Sequence, residues 1–248
     1  MSTYVLIHGG WHGAWCWDRV VPLLRQAGHK VVAPDLPGHG QDKTPLTARP
    51  YELYVPRICE ILDATTEPVI LVGHSSGGAI ITAVAEQRPE SIKVLVYLAA
   101  FLLPSGTTPR SVAQDDPESL LQSYLVVDRE RQTVSVKEEG AKQVFYADCS
   151  DEDAAWATSL LVPESLIPSG PPVSQTTGSN FSRVPRVYIE CLQDKALGPM
   201  IQKRMHTALH CQRVYSLPTS HSPFLSAPEQ LVACLLEIEP LFCGPETC

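Results

Sequence analysis

The chain has 248 residues, 44% of them hydrophobic, with a mean hydropathy of −0.02. That is enough apolar material for the core of one α/β domain with a modest insertion. Lys and Arg number 19 against 27 Asp and Glu, giving a net charge of −8 and a pI near 5.5. With no basic cluster, nothing neutralises nucleic-acid phosphates or an anionic membrane surface. No apolar run approaches the ~20 residues that span a bilayer, and no basic region followed by an apolar one precedes the first strand-like run. The expected partner is a small molecule, with no nucleic acid and no membrane, in the cytoplasm; a homodimer is left open.

Strand-like runs alternate with helical ones. The strands are expected at Tyr4–His8, Lys30–Pro34, Val69–Gly73, Lys93–Leu98, Val187–Cys191 and Arg213–Leu217. Several are continuous aliphatic runs, as in Val69-Ile70-Leu71-Val72, the pattern of strands buried on both faces. Helices are expected at Trp17–Gln26, Tyr51–Ala64, Ser76–Gln87, Leu197–Leu209 and Pro228–Leu241, the last opened by a Ser226/Glu229 capping box with Pro228 in its first turn. This rhythm predicts an α/β fold with a mostly parallel, doubly wound sheet of about six strands. It breaks between 103 and 183, where Pro, Ser, Asp and Glu accumulate around an alternating segment (132–137) and a helical one (152–161). An interruption this long reads as an inserted cap rather than a loop, so the core is expected at 1–102 and 184–248 and the cap at 103–183. Eight cysteines contain no C-x-x-C pair and read as buried small hydrophobes; Cys243 and Cys248, in the tail, are the two open to oxidation.

Gly73-His74-Ser75-Ser76-Gly77 is G-x-S-x-G between a buried strand and an Ala/Ile helix. In that context the central serine sits on a sharp turn that lifts its hydroxyl above the sheet, at a helix N-terminus that favours negative charge. The first strand runs into His8-Gly9-Gly10-Trp11, a loop able to supply one backbone donor to an oxyanion. The residue after the nucleophile supplies another, so Gly10 and Ser76 are the expected pair. A serine hydroxyl needs a base. His221 follows the last strand and lies at the same edge of the sheet as Ser75. His74 is expected to point away, and His8 and His12 to pack beneath the site. His206 and His210 lack the Glu of H-E-x-x-H, so no metal is expected. Asp194, after the fifth core strand, satisfies the chain order Ser…Asp…His, with Glu190 the runner-up and Asp35 a turn residue.

Several segments together resemble the plant methylesterase and hydroxynitrile lyase branch of the α/β hydrolases, with its bacterial and fungal esterase relatives. They are residues 4–17, Ala27–Val31, Leu71–Ser75, Cys149–Asp153, Arg186–Cys191 and Asp194-Lys195. The resemblance covers nearly the whole chain. It implies six parallel strands, a cap, no cofactor, the triad Ser75, Asp194 and His221, and oxyanion donors Gly10 and Ser76. The lyases resemble one another in having Thr or Asn where Gly9 stands, and some carry a lysine where Ser222 stands. Both positions point to a carboxylesterase cleaving small methyl, aryl or alkyl esters through an acyl-enzyme, with hydroxynitrile cleavage or non-catalytic ligand binding as alternatives. The cap looks shorter than in the plant members, and Val162 replaces an Arg common before Pro163. Gly9 and, within the cap, Trp156 are expected to touch substrate.

Overall fold

The computed structural model describes residues 1–46, 50–104, 107–166 and 179–242. Its strands in chain order are β1 (Thr3–Ile7), β2 (Lys30–Val32), β3 (Val69–His74), β4 (Ile92–Leu98), β5 (Leu125–Asp128), β6 (Thr133–Val136), β7 (Glu164–Ser165), β8 (Arg186–Cys191) and β9 (Arg213–Leu217). The helices are α1 (Val20–Gln26), α2 (Tyr51–Asp63), α3 (Gly77–Gln87), α4 (Pro109–Gln114), α5 (Glu138–Phe145), α6 (Asp151–Ser159), α7 (Ser179–Arg183), α8 (Pro199–Ala208), α9 (Pro223–Ser226) and α10 (Pro228–Leu241).

Six strands form one parallel sheet in the order β2-β1-β3-β4-β8-β9. Side-chain alternation sorts their aliphatic residues onto two faces. Tyr4, Leu6, Ile70, Val72, Val94 and Val96 pack with Trp17, Val20 and Leu24 near α1 and with Leu231, Leu235 and Ile238 of α10. Val5, Ile7, Leu71, Leu95 and Tyr97 pack against α2, α3 and α8 on the other face. Every residue of β3 is buried, which is why its sequence shows no polar alternation. All strands therefore present their carboxyl ends, and the loops that follow, to one edge.

The chain between β4 and β8 carries a second, antiparallel sheet, β5-β6-β7. The alternating segment is its middle strand. Its short partners, and helices α4 and α5, have no sequence expectation, because strands of four and two residues are too brief to show a period. The helix expected at 152–161 is α6, whose N-cap Ser150 hydroxyl accepts from the Asp153 N–H at 3.1 Å.

Two local expectations are corrected. The helix at 17–26 begins as a 3₁₀ turn over Ala14–Trp17 and becomes α1 only at Val20. The Ser226/Glu229 box does not form: Ser226 ends α9, the N-cap of α10 is Ala227, and the Ser226 hydroxyl donates to Asp148 at 2.9 Å. A tertiary acceptor has displaced the local one. No described helix is long and apolar enough to cross a membrane. Cys16, Cys59, Cys149, Cys191 and Cys211 are buried free thiols and Cys234 is half-buried; Cys243 and Cys248 lie outside the described residues.

Candidate active site

Ser75 occupies the turn between β3 and α3 with φ of 53°, a left-handed conformation that costs a non-glycine residue energy. The surroundings hold it there. Its N–H donates to the Leu98 carbonyl at 3.2 Å, and its carbonyl accepts from Gly78 at 3.1 Å and Phe101 at 3.0 Å. The helix behind it starts hard against the end of β1: a Cβ on Gly77 would lie 2.9 Å from the His8 carbonyl oxygen. Gly9 closes the other side, where a Cβ would stand 2.7 Å from Ser75 Cβ and 2.9 Å from His74 Nδ1.

His221 follows β9, and its Nδ1 lies 2.7 Å from Asp194 Oδ2; the two side chains are 1% and 0% exposed. The carboxylate is thoroughly solvated by protein. Asp194 Oδ1 accepts from the Ala196 and Leu197 N–H groups at 2.7 and 2.9 Å, and Oδ2 accepts from Gln202 Nε2 at 3.0 Å. Gln202, fully buried on α8, also bonds the Cys191 N–H and the Leu197 carbonyl. It has no sequence expectation; its only signal is a polar residue beside the apolar stripe Leu197, Ile201 and Met205. Glu190 is elsewhere engaged, with His206 at 3.1 Å and Ser216 at 2.7 Å. Asp35 accepts from the Ala14 and Gln41 N–H groups, as a turn residue does. Among the described residues no group of three His, Cys, Asp or Glu is arranged around a metal position.

Two buried histidines shape the loop after β1. The Leu36 N–H donates to His8 Nε2 at 3.1 Å, so Nδ1 carries the proton and donates to the Gly9 carbonyl at 2.8 Å. In a planar trans peptide the next N–H points the opposite way, so gripping the Gly9 carbonyl turns the Gly10 N–H away from His8. His12 grips the Gly10 carbonyl in the same manner at 2.7 Å, and its Nε2 accepts from the Tyr146 hydroxyl at 2.9 Å. Burial first, and neighbouring histidines second, push both imidazoles down to about 3, so both stay neutral. Neither the Gly10 nor the Ser76 N–H donates to another described residue. Both are free for an oxyanion.

His74 does not point away as expected. It is fully buried, its Nε2 donates to the His221 carbonyl at 2.9 Å, and the two rings stand 4.5 Å apart. Burial, then the charges of His221 and His12, hold it well below the ordinary histidine range. It braces the backbone of His221. From the insert, the Phe145 ring lies 5.8 Å from His221, and Asp148 accepts from the Ser220 N–H at 2.9 Å and from the Ser220 hydroxyl. Trp156 stands 41% exposed on α6, edge-on to Trp15 at 5.4 Å. No hydrogen bond joins the Ser75 hydroxyl to His221 among the described residues, and such contacts commonly tighten only when substrate binds. A hydroxyl on a strained elbow, an imidazole oriented by a buried carboxylate and two free N–H groups at one sheet edge are the parts of an acyl-transfer site.

The alpha/beta hydrolase family model matches residues 4–233. The chain belongs to that family. Among α/β hydrolases it is similar to the pyrethroid hydrolase of Sphingobium wenxiniae, 34% identical over 96% of this chain and 87% of the relative. It is also similar to salicylic acid-binding protein 2 of Nicotiana tabacum, 33% identical over 95% and 96% of the two chains. The crystal structure of a methylesterase from Arabidopsis superposes with a TM-score of 0.84 at 25% identity, covering 97% of this chain and all of that one. This α/β hydrolase thus falls in the plant methylesterase-like branch.

Proposed function

We propose that the protein is a serine carboxylesterase acting on small carboxylic esters. The observation that carries this reading is the buried 2.7 Å His221–Asp194 pair at the sheet edge where the Ser75 elbow stands; relatives named as hydrolases and methylesterases support it. Ser75 attacks the ester carbonyl while His221 takes its proton, and Asp194 stabilises the imidazolium that forms. The Gly10 and Ser76 N–H groups receive the oxyanion. His221 returns the proton to the leaving alcohol, and water then releases the acid by the same roles in reverse.

Segment 103–183 acts as the cap over this site, on the core formed by 1–102 and 184–248. The free thiols fit a reducing cytoplasm. Cyanohydrin cleavage is disfavoured for a physical reason: the Thr or Asn of the lyases cannot replace Gly9 on this backbone without displacing Ser75 or His74. Ser75→Ala is expected to abolish p-nitrophenyl acetate hydrolysis and labelling by a serine-directed fluorophosphonate. Undiminished turnover in that variant overturns the assignment, and cyanide release from mandelonitrile by the wild type would return the lyase reading.

A further inference from the structure

The short strand β7 brings a carboxylate onto the oxyanion loop. Glu164 Oε1 accepts from the Trp11 N–H at 3.1 Å and lies 2.9 Å from His39 Nε2. A Cβ built on Gly10 would be 3.2 Å from that oxygen and 3.5 Å from the Ser76 hydroxyl. Glu164 therefore borders the same small space as the residues that offer the two oxyanion N–H groups.

A second polar residue packs beside His39. Tyr54 is 5% exposed, and its hydroxyl is buried without a hydrogen-bond partner among the described residues. Its ring stands edge-on to His39 at 5.8 Å. Burial first, and the Glu164 charge second, push the Tyr51 and Tyr54 phenols above their ordinary value, so carboxylate and phenols share one low-dielectric environment. His39 offers no donor to a ligand here, because Nδ1 faces the Pro37 carbonyl at 3.3 Å while Nε2 faces Glu164. A group arriving at this edge meets the Glu164 carboxylate, 19% exposed, while the Tyr54 hydroxyl stays enclosed.

We infer that Glu164 is the specificity-determining edge of the site. It accepts a hydroxyl or ammonium group of the ester and rejects a second, ionised carboxylate. This rests on the esterase reading above. At an effective dielectric of ~20 a like charge about 6 Å away lowers binding roughly 100-fold, and the His39 imidazolium paired with Glu164 offsets part of that, leaving about tenfold.

The test compares kcat/KM for three esters of matched length: methyl hexanoate, methyl 5-hydroxypentanoate and monomethyl glutarate. A parallel series carries the same groups on the alcohol side. The wild type should favour the hydroxy ester and disfavour the anionic one by about tenfold or more in at least one series. Glu164→Gln and Glu164→Ser should each raise the anionic-to-neutral ratio about tenfold. Glu67→Gln changes the net charge equally; it stands before β3, about 20 Å from the elbow at ~3.3 Å per strand residue, and should leave the ratio unchanged.

A purely structural Glu164 would lower all three esters together with their ratios intact. That result, or an equal rise with Glu67→Gln, overturns the inference while the esterase reading stands. If the wild type hydrolyses no ester, p-nitrophenyl acetate included, both fall together.

Discussion

Ser75, Asp194 and His221 are each held by backbone groups or buried side chains outside the proposed triad. Three hydrogen bonds keep Ser75 at a positive φ. Asp194 accepts from two N–H groups and Gln202, and His74 grips the backbone of His221. Such bracing lets a hydroxyl and an imidazole meet a carbonyl without reorganising at the moment of reaction. Gln202 is the residue whose loss tests this. Gln202→Leu takes their Gln202 partner from the Cys191 N–H and the Leu197 carbonyl and leaves Asp194 Oδ2 with His221 alone, so unfolding free energy should drop by about 2–3 kcal/mol. Urea titration measures that drop, and steady-state kinetics should show a fall in kcat with KM nearly unchanged. The proposed triad residues were legible as candidates because each follows a strand at one edge of the sheet. Gln202 was not, since its role depends on which face of α8 meets β8.

At the scale of elements, the decisive contact is the start of α3 against the end of β1. The sequence pattern shows the glycines of the elbow, but the distance that requires one appears only when the strands are paired side by side. Gly77→Val is expected to force the helix off the His8 carbonyl, costing about 1–3 kcal/mol as overpacking does. Thermal denaturation should show the lower Tm, and the displaced Ser76 N–H should lower kcat with it. The long core strands and helices were legible from periodicity. The capping box at Ser226 misled for the opposite reason: its local pattern is sound, yet Asp148, 78 positions away in sequence, offers that hydroxyl a tertiary acceptor. The sheet β5-β6-β7 escaped because its outer strands are stabilised by pairing rather than by their own sequence.

At the scale of the whole molecule, the chain between β4 and β8 is tied to the loops after β1 and β9. Trp11 donates to Glu164 and to the Val134 carbonyl and accepts from the Val162 N–H, while Asp148 holds the loop that carries His221. Stability should follow the charge state of the histidines beneath. His8 and His12 titrate near 3 in the folded protein against 6.5 when unfolded. Between those values the unfolded chain binds more protons, so stability present above 6.5 is lost as pH falls, by up to about 1.4 kcal/mol per unit for each histidine. His39 acts in the opposite sense. Burial opposes its charge, but the Glu164 hydrogen bond and charge outweigh that and raise it above 6.5. Its contribution is full below 6.5 and is lost as pH rises through the raised value. Urea midpoints measured from pH 5 to 9 should peak near neutrality and fall most steeply on the acid side; a flat acid limb would contradict this account.

The sequence by itself determined the sheet and the elbow, and singled out the three residues proposed for proton transfer and attack, because strand burial, helix starts and post-strand loops are local patterns. Only the tertiary structure decided what surrounds them. Glu164 meets His39 across 125 positions and Asp148 meets Ser220 across 72. A side chain that acts through a partner so distant in the chain leaves no period or spacing to read. Its position is set by how the insert settles onto the core, through hydrogen bonds that exist only once both are folded.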